Sequence, residues 1–385
     1  MHLEWLGFLG NLLLAASLAG CVYLAVAAFA VRRLIRRPLP QVAESSPVSL
    51  LKPLCGADSG LYENLRSFCL QEYGTFQIVF GVADAADPAI PVVRRLMAEF
   101  PQRDMALASG GTTSAGNLKI ANLIAMLPLA RHDFLAISDS DMRVKPNYIA
   151  AVTAPLADPA VGLVTCLYRG ISSGGFWSDL AAMHVNHGFL PQAALGEALG
   201  AGGGAFGASL ALTRATLDAI GGFARLKDYL ADDHVLGQEV RALGRRVVLS
   251  PLLVDDMVDE ADLGALYRHE LRWANTVRLL APWGYAGSVI GHPLALALLA
   301  LLLGAGPLWA VSGLTLAFLV RWATIRLNER ALVLARAPVY LIPLRDLLSF
   351  VVYTASFFTR NVAWRDRRFR LGRDGRLRPE GDRPA

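Results

Sequence analysis

Hydrophobic positions along this chain follow two patterns: long uncharged runs near its ends, and short runs that alternate with helical periodicity between them. Residues 5–31 carry no charge and exceed the roughly 20 residues that a helix needs to span a bilayer. Basic residues follow this run, at 32–37, which favours a membrane anchor over a cleaved signal peptide. The positive-inside rule then predicts that the chain beyond residue 37 lies in the cytoplasm.

The C-terminal part contains three further apolar stretches. Residues 286–304 and 307–320 predict a helical hairpin around the tight turn "GAGP". The third stretch, 338–359, contains Arg345 and Asp346, and a charge at mid-bilayer costs at least ~2.5 kcal/mol. An interfacial or re-entrant segment is therefore favoured there over a simple span, and either three or four spans fit the whole pattern.

The composition agrees with a membrane protein. Hydrophobic residues make up 54% of the 385 positions, and the mean hydropathy is +0.40, too apolar for an ordinary soluble enzyme. The net charge of +5 comes from basic clusters beside apolar runs, which are typical of contacts with anionic lipid headgroups. A nucleic-acid partner is not expected, and four cysteines without metal-like spacing fit a reducing compartment. We expect a multi-pass protein of the cell inner membrane whose catalytic part is cytoplasmic.

Between about residues 38 and 281, short apolar runs alternate with helical patterns, which predicts an α/β domain with a parallel sheet and crossover helices. We therefore divide the chain into an anchor (1–37), a cytoplasmic domain (38–281) and a C-terminal membrane region (282–385). Ligands of open α/β sheets bind beyond the carboxyl ends of the strands. The predicted strands are 48–53, 76–84, 104–110, 133–139, 162–168 and 245–251.

Carboxylates follow two of these strands. Asp84 comes after the strand at 76–83 and is a candidate nucleobase or ribose contact, although a turn explains it equally simply. Asp139 and Asp141 end the run "FLAISDSD", where a carboxylate pair suits a hard divalent cation that shares its coordination with phosphate. A solvated turn is the alternative. Asp232 and Asp233 begin a predicted helix, so one of them is a candidate cap and the other a candidate general base.

Residues 262–280 predict an amphipathic helix on which His269, Arg272 and Trp273 share one face. This face either meets phosphate and acceptor, or lies at the membrane interface with snorkelling arginines and an anchoring tryptophan. Lys119 in "NLKIAN" is a candidate phosphate contact. The glycine-rich stretch 200–209 is flexible enough for the backbone to approach a ligand closely, and a plain loop is the alternative.

Taken in order, these motifs resemble the inverting family-2-like glycosyltransferases, which have the GT-A nucleotide-sugar-binding (Rossmann-like) fold. The closer resemblance is to the ceramide glucosyltransferase family and its bacterial relatives that glycosylate hopanoid lipids. The segments that carry it are "VSLLKPLCG", "DAADPAI", "NLKIANL", "SDSDMRV", "GGFARLKDYLADDH" and "HELRW".

The resemblance implies a role for each matching residue. Asp84 would contact uridine, Asp139 the metal and diphosphate, and Asp233 would be the general base. Arg272 and Trp273 would belong to the (Q/R)-x-x-R-W element of the family. Lys52 and Lys119 match lysines near the nucleotide, and His187 matches a histidine near the active site.

The sequence departs from the family pattern at three places. His269 stands where the family has Gln or Arg, and Asp-Asp-His replaces the Glu-Asp-Tyr of ceramide enzymes. Asp141 replaces a glycine of the animal enzymes. This points to the bacterial branch and to a metal site, for Mg²⁺ or Mn²⁺, that uses both Asp139 and Asp141.

The expected function is therefore transfer of one sugar, with inversion, from UDP-N-acetylglucosamine or UDP-glucose to a membrane-lipid hydroxyl. The acceptor would be a hopanoid polyol such as bacteriohopanetetrol, or ceramide. A processive polysaccharide synthase is an alternative, although such enzymes usually have more spans. A non-catalytic membrane protein that binds nucleotide-sugar is another.

Overall fold

The middle of the chain folds into an eight-stranded sheet with helices on both faces, seen here in a computed structural model. The structure describes residues 2–40, 46–110, 116–200, 204–359, 361–364, 367–372 and 375–379. The strands of the sheet are β1 (Val48–Leu54), β2 (Phe76–Val82), β3 (Asp104–Ser109), β4 (Phe134–Ser138), β5 (Met142–Arg143), β6 (Val161–Ser172), β7 (Ser209–Thr213) and β8 (Arg246–Val258).

Fourteen helices are described in these residues. They are α1 (His2–Ile35), α2 (Leu61–Cys69), α3 (Ala89–Glu99), α4 (Leu118–Met126), α5 (Tyr148–Thr153), α6 (Phe176–His184), α7 (Leu190–Ala198), α8 (Arg214–Ala219), α9 (Asp232–Ala242), α10 (Leu263–Leu280), α11 (Pro282–Gly287), α12 (Pro293–Leu302), α13 (Pro307–Leu332) and α14 (Leu341–Ser356). A π-helical turn at Val185–Phe189 joins α6 to α7.

The strand order is β3-β2-β1-β4-β7-β6-β8-β5. Strands β3, β2, β1 and β4 are parallel, whereas β7 is antiparallel to both β4 and β6, and β5 is antiparallel to β8. All six predicted strands are present. The predicted parallel sheet forms in part, since β6 and β8 are also parallel, whereas β5 and β7 are antiparallel to their neighbours. The stretch 200–209 also holds the first residue of β7, so it is not entirely a loop.

Two apolar layers cover the sheet. On one face Leu50 of β1 and Phe80 of β2 belong to a cluster that includes Phe68 of α2. On the other face Leu51 of β1 packs in a cluster with Ile120 of α4. Every residue of β1 and β2 is buried, which is why both strands are mostly apolar, apart from Ser49, Lys52 and Gln77.

Two helices, Glu4–Ile35 and Pro307–Leu332, are long and apolar enough to cross a membrane. The predicted hairpin is only partly present, because the chain bends by 71° between residues 282–291 and 293–302. This bent pair is either a broken span or a re-entrant loop, so the described residues hold two or three candidate spans. A side chain at Gly20 of α1 would collide with the Ile290 carbonyl, so the small residue allows close packing at the bend.

The charges inside the stretch 338–359 are paired on α14. Arg345 donates two hydrogen bonds, both of 2.7 Å, to the Glu270 carboxylate of α10, and both side chains are almost completely buried. Asp346 accepts hydrogen bonds of 2.8 and 3.0 Å from Nε of Arg321 on α13. Helix α14 is not among the described helices that could span a membrane by length and composition. These ion pairs explain how an apolar segment accommodates two charges.

The basic C-terminal region contains a second, three-stranded antiparallel sheet of β9 (Asn361–Trp364), β10 (Arg367–Leu371) and β11 (Leu377–Pro379). The backbone N–H of Leu377 donates to the carbonyl of Asp228 at 2.8 Å. This sheet was not predicted, and it brings the end of the described chain against the loop that precedes α9.

We predict that Arg345→Met destabilises the fold by about 3–5 kcal/mol, because Glu270 then remains as a buried, unpaired carboxylate. The double variant Glu270→Met/Arg345→Met should recover most of this loss. The free energy of unfolding in detergent measures both effects. Arg131→Met, which breaks an exposed ion pair with Asp104, is the matched control and should cost about 1 kcal/mol or less. Equal losses in the two single variants would contradict the proposed importance of the buried pair.

Candidate functional site

Acidic and basic side chains converge where β1 and β4 end and where α4 and α9 begin. Asn117 caps α4 by accepting a hydrogen bond from the Ile120 N–H at 3.2 Å. Its side-chain amide donates to Asp232 Oδ1 at 3.0 Å, so one residue ties the start of α4 to the start of α9. Asp139 follows β4, and its N–H lies 3.4 Å from the carbonyl of Ala208.

Lys119 lies at the centre of this group. Its Nζ is 2.6 Å from Asp139 Oδ1 and 3.9 Å from Asp232 Oδ2, and it donates to the Gly207 carbonyl at 3.2 Å. Burial alone would lower the pKa of Lys119, but the charges of Asp139 and Asp232 outweigh it and raise that pKa above its usual range. Lys119 is therefore a fixed cation among carboxylates.

Lys52 is completely buried beneath the segment that carries Asp139. Its Nζ donates to the backbone carbonyl of Asp139, and it lies 3.8 Å from the centre of the Phe68 ring. Burial lowers the pKa of Lys52 to about 7, although Asp139 and Asp141 act in the opposite direction. Lys52 thus fixes the backbone conformation of the strand end.

Asp233 lies half-buried in the first turn of α9. Its Oδ1 accepts a hydrogen bond from the His234 N–H at 2.7 Å. A side chain at Gly207 would come within 3.0 Å of Asp233 Oδ2, so the glycine leaves the space that this carboxylate occupies. Burial raises the pKa of Asp233 despite the nearby Lys119, which makes the carboxylate a stronger base than an exposed aspartate.

Asp141 faces a cavity of about 260 Å³ between the edge of the sheet and α10. Its backbone carbonyl accepts from the Met257 N–H at 3.0 Å, and β5 pairs Met142 with Asp256 of β8. Burial in the cavity and the charge of Asp139 raise the pKa of Asp141 to about 6, although its side chain still faces the solvent there.

Helix α10 forms the opposite wall of this cavity. His269 Nδ1 lies 2.7 Å from Glu260 Oε1, and Trp273 packs edge-on against the His269 ring at 4.4 Å between centroids. Arg272 does not line the cavity, but it interacts with the charges of Asp141 and Glu260, and burial lowers its pKa. Of the predicted helix face, His269 and Trp273 are thus brought together at the cavity.

Two predicted residues lie apart from this group. Asp84 is exposed and accepts from the Ala86 N–H at 2.9 Å, as in the turn that was its alternative explanation. His187 is buried in the π-helical turn, where its carbonyl accepts from Arg321 at 2.8 Å. Burial and the charge of Arg321 lower the pKa of His187 to about 3, so its imidazole is neutral. Within the described residues, the recorded contacts of His187 are with α13.

Sequence analysis missed three acidic residues. Asp87 accepts from Gly56 at 3.0 Å and from Ala89 at 2.8 Å, and so fixes the loop after β1. Asp256 and Glu260 line the cavity because β8 extends seven residues beyond its predicted end. The apolar residues on both sides of the two aspartates in "LLVDDMV" are the signal that would have extended the strand.

Asp139 and Asp141 provide a donor set that fits a divalent cation. Carboxylate oxygens are the ligands of Mg²⁺ and Mn²⁺, and the raised pKa of Asp141 reports a repulsion that a cation would relieve. Among the described residues, no three His, Cys, Asp or Glu side chains are grouped to hold a metal ion by themselves. Such a cation would therefore need further oxygens, from water or from a bound phosphate.

Comparisons with known proteins identify the relatives of this chain. The family model described as Glycosyl transferase family 21 matches residues 12–377. Among curated proteins, ceramide glucosyltransferase 3 of Caenorhabditis elegans is 28% identical over 208 residues, which is 53% of this chain and 44% of that protein. Ceramide glucosyltransferase 1 of the same organism is 26% identical over 243 residues, 61% and 52% of the two chains. The chain thus spans about half the length of these relatives.

Among solved structures, the mannosyltransferase PcManGT from Pyrobaculum calidifontis, in complex with GDP-Man and Mn²⁺, aligns with a TM-score of 0.53 and 18% identity. The alignment covers 91% of this chain and 99% of that one. At this identity the likeness shows the fold alone, and it confirms the predicted GT-A fold.

The raised pKa of Asp232 leads to a prediction about pH. Burial raises this pKa from 3.8 to about 6, so between those values the folded protein holds a proton that the unfolded chain has released. The contribution of Asp232 to stability therefore falls as the pH rises through this window. We expect Asp232→Asn to gain thermal stability relative to the wild type between pH 4 and pH 7. Asp218→Asn, at an exposed position of α8, is the control, and an equal trend in both variants would contradict the assignment.

The paired carboxylates predict that Mn²⁺ stabilises the wild type without any substrate present. Saturation to about 100 times the Kd adds about 2.7 kcal/mol, measured as a rise of the thermal midpoint. Asp141→Asn should lose most of that rise, whereas Asp218→Asn should keep it. A wild type that does not respond to Mn²⁺ or Mg²⁺ would contradict a metal site built by the protein alone.

Proposed function

Since the chain belongs to glycosyl transferase family 21, we propose that it transfers a single sugar from a UDP-sugar to a membrane-lipid hydroxyl, with inversion. The observation that supports this most strongly is the cluster in which Lys119 links Asp139 to the start of α9, beside Asp233. It combines an anion-binding side with a carboxylate base at the carboxyl ends of the strands.

In the proposed reaction, the acceptor oxygen attacks the anomeric carbon while the bond from that carbon to the diphosphate oxygen breaks. Asp233 takes the hydroxyl proton, and its raised pKa suits this role. The departing UDP carries the negative charge. Lys119 and Arg272 lie near the aspartates, where they can offset this charge. A single displacement of this kind inverts the anomeric centre.

A divalent cation held by Asp139 and Asp141 would add charge neutralisation of the diphosphate. Lys52 supports this side indirectly, because it holds the Asp139 carbonyl from below. We retain Asp84 as a uridine contact, since it follows β2 at the same edge of the sheet and is exposed to solvent. Trp273 is assigned to the acceptor side because it lines the cavity.

The identity of the two substrates rests on resemblance. The curated relatives are named ceramide glucosyltransferases, which supports UDP-glucose and a ceramide-like acceptor. The resemblance to bacterial enzymes supports UDP-N-acetylglucosamine and a hopanoid polyol instead. His187 is assigned a positioning role, because its backbone carbonyl accepts a hydrogen bond from Arg321 of α13 and none of its described contacts is with the aspartates.

We also propose that the protein lies in the cell inner membrane with residues 38–281 in the cytoplasm, between an anchor at 1–37 and a membrane region at 282–385. The two or three candidate spans and the basic residues at 32–37 support this arrangement. The ion pair between Glu270 and Arg345 joins the last two of these regions.

The proposal predicts that Asp233→Asn lowers sugar transfer at least ~100-fold, since the acceptor loses its proton acceptor. Membranes carrying each variant are incubated with a panel of UDP-sugars, total lipid extract and Mn²⁺, and the lipids are analysed by mass spectrometry. UDP binding by the purified variant should remain, and Asp218→Asn should behave as the wild type. A long water-soluble polymer would instead indicate a processive synthase, and UDP-sugar binding without any product a non-catalytic protein.

A further inference from the structure

The cavity between the sheet edge and α10 has an unusual charge distribution for a protein that handles a diphosphate. Among the described residues, its lining includes six carboxylates but no lysine or arginine. They are Asp58, Asp141, Asp256, Asp259, Glu260 and Glu270. The lysines near Asp139 do not line it, so the diphosphate of a sugar donor has no cationic partner inside this cavity.

Three of these carboxylates have a hydrogen-bond or ion-pair partner in the protein. Glu270 is bound by Arg345, and Glu260 lies 2.7 Å from the His269 ring. Asp259 accepts from the hydroxyl of Ser173 at 3.0 Å. These pairs fix the walls of the cavity and leave fewer groups for a ligand.

Asp256 differs from the rest. It is 8% exposed, so more than nine-tenths of its surface is covered, and what remains open faces the cavity. Within the described part of the chain, no hydrogen-bond donor or cation contacts its carboxylate, and its charged neighbours are Asp141, Asp139 and Glu260. A buried carboxylate without a donor destabilises a fold, and its presence calls for a ligand.

We propose that Asp256 binds the hydroxyl groups of the lipid acceptor in this cavity, and that the headgroup taken is polyhydroxylated and free of phosphate. Hydroxyls supply the donors that Asp256 lacks, while an anionic headgroup would be repelled by the surrounding carboxylates. The cavity, at about 260 Å³, has room for a small headgroup rather than for a whole lipid.

The other wall of the cavity suits the rest of such an acceptor. Ala181, Val185 and Leu266 give an apolar surface, and the Trp273 ring lies beside it. An apolar wall opposite an acidic one matches a molecule that carries hydroxyls next to a hydrocarbon skeleton. This inference rests on the proposed function and adds a specificity-determining residue to it.

The neighbouring residue on β8 provides a matched control. Asp255 is bound by Arg169, with Nε 2.6 Å from Oδ1 and Nη2 3.2 Å from Oδ2. Asp255 does not line the cavity. Substitution of these adjacent aspartates by asparagine should therefore have opposite effects on stability, and only the substitution at Asp256 should affect acceptor use.

The test compares Asp256→Asn, Asp255→Asn and the wild type in detergent, with the purified lipid that the wild type glycosylates. Asp256→Asn should raise the thermal midpoint. It should also raise the KM for the acceptor about ten- to a hundredfold, because one charge-assisted hydrogen bond to the acceptor is lost. Its UDP affinity with Mn²⁺ should be unchanged. Asp255→Asn should lower the thermal midpoint and leave the acceptor KM unchanged.

Four results would overturn the inference. An unchanged acceptor KM in Asp256→Asn would remove the residue from acceptor binding, and an equal loss of UDP affinity would place it with the donor. Better transfer to phosphatidylglycerol than to phosphate-free polyol lipids would contradict the charge argument. If the wild type itself transfers no sugar to any lipid, the proposed function fails and this inference with it, a result distinct from a defect confined to Asp256→Asn.

Discussion

The ion pair between Lys119 and Asp139 is the interaction on which the arrangement of the site depends. Asp139, Asp232 and Asp233 come from separate parts of the chain, and their charges repel one another. Lys119 offsets this repulsion from a position 2.6 Å from one carboxylate and 3.9 Å from another. Asn117 then orients both helices concerned, because it caps α4 and donates to Asp232. Without a cation at this point, the carboxylates would need protons or a metal ion to approach so closely.

A second constraint connects the sheet domain to the apolar C-terminal helices. Arg345 is one of the largest fully buried side chains, and it meets Glu270 on the helix that also carries His269 and Trp273. Arg321 joins α13 both to α14, through Asp346, and to the π-helical turn. Charges removed from water in this way are tolerated only when their partners are fixed. The position of α10 over the cavity thus depends on helices that sequence analysis assigned to the membrane region.

Local sequence patterns were sufficient to predict the strands that end at the site. Asp139 and Lys52 were found because β1 and β4 are buried on both faces and therefore continuous in their apolar character. The limits of β8 were missed, since two adjacent aspartates interrupt the apolar residues of its outer half. Asp256 was overlooked for the same reason. The partners of Arg345 and Asp346 lie 75 and 25 residues away in sequence, and no local pattern encodes such pairing.

The distribution of charge within the site separates two ligands that must meet. The end of β4 has Lys52 below it and Lys119 beside it, which suits the diphosphate of a donor. Within the part of the chain that the structure describes, the cavity beyond Asp141 has only carboxylates and one histidine as ionisable groups. The carboxylates of that cavity would repel the phosphates of a nucleotide. Near the two lysines, a phosphate would bind more tightly than an uncharged hydroxyl. Asp141 lies between the two, at the boundary between the lysines beside Asp139 and the acidic cavity.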